Sequence, residues 1–102
     1  MDGQASISSD VLARYAADAA REVEGVRGLV ESHLPRHRGV RIGDDREDGG
    51  VTVELHLEVA GGASIPDVGE AVQTRVREYL ERMTGARPDS VDVVVDEIGP
   101  PA

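Results

Sequence analysis

Residues 51–59, VTVELHLEV, alternate with a period of two. Val51, Val53, Leu55, Leu57 and Val59 share one side of an extended chain, while Thr52, Glu54, His56 and Glu58 share the other. A strand of this kind buries one face and wets the other, so the fold must contain a sheet covered on one side only. Gly61 and Gly62 break the strand, and other segments of the chain have to supply the cover.

The cover is legible downstream. Ser64 and Asp67 open a helix in the manner of a capping box, with Pro66 tolerated in its first turn. Val68, Val72, Val76 and Leu80, flanked by Ile65, Tyr79 and Met83, form a long apolar stripe that Gly85 ends. Val91, Val93 and Val95 then form the core face of a last strand. Upstream, a first helix begins near Ser8, a capping hydroxyl, with Asp10 in its first turn. Val11, Leu12, Tyr15, Ala16, Ala19 and Val23 recur at helical spacing, and Gly25 is expected to stop that helix. Val26 to Leu34 reads as a strand ended by Pro35, and Val40 with Ile42 starts another. The segment DDREDGG from Asp44 to Gly50 favours a hairpin return into the alternating strand.

The resulting order, α-β-β-β-α-β, predicts a single small α+β domain: a mixed sheet with two helices on one face. The last two strands should lie parallel, joined by a right-handed crossover through the second helix. Residues 1–6 read as a flexible tail, 7–98 as the domain and 99–102 as a C-terminal tail.

Composition narrows the function classes. With no Phe, no Trp and only Tyr15 and Tyr79, the core must be aliphatic, and the stacking platform common in single-stranded nucleic-acid binders is missing. Twenty acidic against 11 basic residues give a net charge of -9, a field that repels phosphate backbones and anionic lipid headgroups. Nucleic acid and direct membrane insertion are disfavoured. The absence of cysteine excludes disulfides, thiolate catalysis and cysteine-based zinc sites. The opening MDGQASISSD lacks a secretory pattern, and no stretch approaches the ~20 apolar residues of a membrane span. A cytoplasmic location is expected.

Candidate chemistry is sparse. Glu54, Glu58, Asp92 and Asp96 fall on the open face with His56, where carboxylates attract divalent cations. Residues two apart on a strand, however, stand ~7 Å from each other, so a solvated face is the expectation. Two carboxylates doing acid and base work need a concave, partly dry pocket, which an open sheet lacks. His33 and His37 have helical spacing, but Pro35 between them argues against a helix, and all three histidines read as surface imidazoles. No nucleophile motif or phosphate loop is present. The sequence therefore assigns no catalytic residue, cofactor or metal. Gly25, Val26, Arg27 and Gly28 match the Gly-x-x-Gly of KH-type RNA-binding modules, although a helix stop followed by strand entry accounts for both glycines. Gly69 inside the second helix costs about 1 kcal/mol relative to Ala. It is expected to admit the alanine-rich first helix, with a self-association contact as the alternative. Arg75 belongs to a set of mixed charges on the helices, either a solvated face or a zipper between copies.

Five short motifs in order carry a resemblance. They are the helix ISSDVLARYAADAA with its exit Glu22-Val23-Glu24-Gly25-Val26, the Ile-Pro-x-Val start at Ile65, the Val-Gln-x-x-Val centre at Val72, the Met-Thr-Gly stop at Met83, and the valine-rich closing strand. Over about residues 7 to 98 the chain resembles the alkaline-shock, envelope-stress-response family of Gram-positive bacteria. The resemblance implies a cytoplasmic, self-associating protein, abundant under alkaline or envelope stress. It also implies that a separate membrane-anchored protein partner can hold it at the inner face of the cell membrane. The expected role is thus a non-enzymatic scaffold or interaction module, with Gly69, Arg75, Glu54, Glu58, Asp92 and Asp96 as candidate contact residues. A KH-like RNA-binding module using Gly25 to Gly28 is the alternative.

Overall fold

The computed structural model describes residues 7–31, 39–45 and 50–101. Helix α1 (Ser9–Arg21) is capped by Ser8, whose hydroxyl oxygen accepts from the Val11 N–H at 3.2 Å. It ends earlier than Gly25. The Glu22 and Val23 N–H groups bond to Ala19 and Ala20 carbonyls, tightening the final turn, and Glu22 is the C-cap. Gly25 instead turns the chain into the sheet. Its φ is +99°, and a Cβ there would lie 2.7 Å from Val68 Cγ2, so both conformation and packing demand glycine.

Strands β1 (Val26–Leu29), β2 (Val40–Asp45) and β3 (Gly50–Gly61) precede helix α2 (Ile65–Thr84) and strand β4 (Ser90–Pro101). The expected order and fold class hold. β3 is central: β1 and β2 pair with it antiparallel and β4 pairs parallel. A strand has two edges, and β4 takes one along residues 52–61. β1 and β2 therefore lie end to end on the other, β2 against residues 50–55 and β1 against 57–59. The handover occurs at His56, whose carbonyl accepts from Val30 and whose N–H donates to Gly39, each at 2.8 Å. This corrects the expected strand Val26 to Leu34: β1 stops at Leu29 because β2 holds the rest of that edge.

The parallel pairing sets Val53, Leu55 and Leu57 beside Val91, Val93 and Val95. Gly99 and Pro101 register with Ala60 and Gly61, so residues 99–101 continue the strand where a tail was expected. The expected turn Asp44 to Gly50 is shorter than its sequence suggests, since Asp44 and Asp45 pair in β2 with Val51 and Gly50 of β3. Residues 46–49, the expected tail of residues 1–6, His33 and His37 lie outside the described residues.

One aliphatic core joins both helices to the same face of the sheet. Leu12, Ala16, Ala19 and Ala20 of α1 and Val68, Val72, Val76 and Leu80 of α2 meet Val53, Leu55, Leu57 and Val59 of β3. The alanines let α1 approach closely, and Tyr15 and Tyr79 meet edge to face at 5.7 Å beside it. Gln73 Nε2 donates to the Val91 carbonyl at 2.9 Å, tying α2 to the start of β4. Val91 is buried, but Val93 and Val95 are only half-buried. α2 ends at Gly85 in the left-handed conformation, φ 78°, as its sequence indicates.

Candidate functional site

The uncovered face of the sheet collects the charged candidates. Alternation on β3 projects Glu54, His56 and Glu58 away from the helices, and the register places Asp92 beside Glu54 and Val94 beside His56. The register then shifts: Val95 pairs with Leu57 and Glu97 with Glu58, leaving Asp96 as an extra, bulged residue. Bulges re-aim side chains. Here the Asp96 carboxylate lies 2.8 Å from His56 Nδ1, while the Glu54 carboxylate lies 2.6 Å from Nε2.

A neutral imidazole has one N–H to donate, whereas two carboxylates accept from both nitrogens only if the ring is an imidazolium. The Glu54 hydrogen bond accordingly raises the His56 pKa above its ordinary 6.5. Partial burial opposes this, and the Asp96 hydrogen bond and the charges of both carboxylates reinforce it. Nearby, Arg27 Nε meets Glu58 at 3.2 Å, joining β1 to the same face. Arg41 stands in register with Glu54.

The candidate contact residues separate into two groups. Glu54, Glu58, Asp92 and Asp96 share the open sheet face, while Gly69 and Arg75 lie on α2, in the helical layer on the opposite side. Arg75 is engaged within the domain, donating to Glu22 at the end of α1 at 2.8 Å. Gly69 corrects an expectation. Among the described residues a Cβ built there meets nothing within 4 Å, so α1 does not cross at this point and no described neighbour gives the glycine a packing reason. The Gly-x-x-Gly segment is divided as well. Gly25 packs against α2, Arg27 is held by Glu58, and Gly28 sits in β1 in register with Glu58.

Alternation alone places His56 with the acids but does not reveal the two-sided clamp. Glu54, two residues away on the same face, is the visible signal. The contribution of Asp96 depends on a bulge that no local pattern announces. Among the described residues, no group of three or more His, Asp or Glu side chains is arranged to hold a metal ion. Hollows over α2, lined by residues such as Asp67, Ala71 and Arg75, open widely to solvent. Among the described residues, no helix is long and apolar enough to cross a membrane.

Comparison with known proteins places the chain. The uncharacterized protein YqhY of Bacillus subtilis (strain 168) is 30% identical over 99 residues, covering 89% of this chain and 73% of that protein. The uncharacterized protein YloU of the same organism is 26% identical over 108 residues, covering 94% and 88%. The uncharacterized protein Spy1614 of Streptococcus pyogenes serotype M6 is 29% identical over 109 residues, covering 95% and 88%. Among solved structures, a manganese form of a MamM CTD variant superposes with a TM-score of 0.64 at 19% identity, covering 88% of this chain and 99% of that one. A second MamM CTD variant gives 0.65 at 18% identity, covering 89% and 84%. At such identity these structures share the fold alone. The family profile matches residues 1–100, and the chain belongs to the alkaline shock protein 23 family, described as having a cell envelope-related function.

Proposed function

We propose that this protein is a non-enzymatic envelope-stress scaffold. It self-associates in the cytoplasm and is recruited to the inner face of the membrane by a membrane-anchored protein partner. The observation that carries the self-association is Gly69. A glycine in a helix interior costs about 1 kcal/mol relative to Ala, and here no contact among the described residues requires one. Ile65, one helical turn before it on the same side of the helix, is 39% exposed. A flat, partly apolar spot on α2 suits the close approach of a second copy. The cell envelope-related function of the family supports the proposed location.

Sedimentation velocity across a hundredfold concentration range, on the wild type and on Gly69→Leu and Arg75→Glu, tests the reading. The wild type should grow with concentration and the α2 variants should stay smaller while keeping their circular dichroism. A wild type that remains monomeric throughout removes the scaffold reading, and assembly unchanged in both variants removes the α2 face.

A further inference from the structure

The sheet has two outer edges, and they differ. The edge formed by β1 and β2 is divided between strands of 4 and 6 residues. The other is β4, one continuous strand of 12 residues. Its only strand partner among the described residues is β3. Such an edge presents a row of backbone donors and acceptors that template a further strand.

We propose that the free edge of β4 is a docking site for a basic, extended segment of a partner protein, which adds to the sheet by backbone pairing. The proposal rests on the interaction-module reading and names the chemistry of its partner. β4 carries Asp92, Asp96 and Glu97 and no basic residue. Arg41 lies across β3 on a far strand, and Arg27, also rooted on a far strand, reaches over β3 only as far as Gly99 at the proline end of β4, where Glu58 engages it. Asp96 shares the His56 clamp, and Asp92 and Glu97 have no cationic side-chain partner among the described residues.

On the open face Val94, 37% exposed, lies beside His56 between the carboxylates, whereas Ile98, 63% exposed, is in register with Val59 and lies on the helical side, where the apolar residues of an added strand would fall. An added strand with alternating basic and apolar residues would set its cations against the acids on the open face. Opposite charges directly across a strand pair stabilise it, and like charges destabilise it. A second copy of this chain fits worse. Two β4 edges joined by a two-fold axis would bring two rows of three acids onto strands ~4.8 Å apart, within a pair of chains each carrying -9. Pro100 and Pro101 limit pairing at the far end. The acids thus repel self-pairing and select a basic strand with the same atoms.

The test titrates full-length, 15N-labelled protein with a capped nine-residue peptide of alternating Arg and Val. The control is the same peptide with N-methyl groups on alternate residues, which keeps its charge and removes one row of donors. Binding should shift amides of residues 90–98, weaken about tenfold on N-methylation, and weaken by a similar factor in the double variant Asp92→Asn, Glu97→Gln. Equal binding of the methylated peptide, or shifts confined to α2, would overturn the proposal, as would concentration-dependent shifts of β4 amides without peptide, which would mean self-pairing. If the peptide fails to bind while the protein still sediments as an oligomer, this proposal falls and the scaffold reading stands. A protein that stays monomeric yet binds the peptide through residues 90–98 upholds the β4 site and removes self-association.

Discussion

His56 on β3 and Asp96 on β4 are joined by a 2.8 Å hydrogen bond across two parallel strands, and the bulge at Asp96 brings the carboxylate to the ring. Glu54 holds the other ring nitrogen at 2.6 Å. This arrangement is complete only for the protonated ring.

The clamp makes stability depend on pH. Because the folded-state pKa of His56 is raised above 6.5, its contribution is fully present below pH 6.5 and is lost as pH rises through the folded value. Urea unfolding of the wild type and His56→Gln should differ by about 1 kcal/mol at pH 5.5 to 6, and the gap should narrow steadily toward alkaline pH. A gap that is constant or widens with pH would show that the ring is not held as an imidazolium.

Gly69→Ala should separate folding from assembly. The added methyl group meets open space, so the isolated domain should gain about 0.5–1 kcal/mol in denaturant unfolding at low concentration. At high concentration the same variant should assemble less well than the wild type. A loss of monomer stability would mean that α2 is packed differently at this turn.

Gly25→Ala should destabilise the domain by about 1–3 kcal/mol, since φ is +99° and the new Cβ would press on Val68. Thermal melting measures this directly. Arg27→Ala, which removes only a partly exposed ion pair with Glu58, is therefore the clean probe of RNA binding by this segment. Salt-sensitive RNA affinity lost in Arg27→Ala, with melting unchanged, would revive the KH-like alternative.

Leu57→Ala should cost about 2–5 kcal/mol, because Leu57 is fully buried in the core under the helices, on β3 between Leu29 of β1 and Val95 of β4. Against a total of about 5–15 kcal/mol for an ordinary domain, such a loss leaves the variant partly unfolded at modest urea concentrations. A small effect would mean that the core collapses around the cavity.

Much of this protein is local in origin. The period-two run at 51–59, the Ser64 cap, the stripe from Val68 to Leu80 and the Gly85 stop each depend on neighbours in sequence, and each forms where the residues indicate. The open acidic face follows from the same alternation. Other features required the assembled sheet. β1 ends at Leu29 because β2 occupies the remaining edge of β3, an exclusion between segments that no single segment encodes. Gly69 reads in the sequence as a helix crossing, yet the described contacts leave it open, since the crossing point depends on how two helices settle over one core. The His56 clamp joins residues 40 positions apart through a one-residue bulge. Periodicity determined which residues face water, whereas only the register between strands decided which of those residues meet.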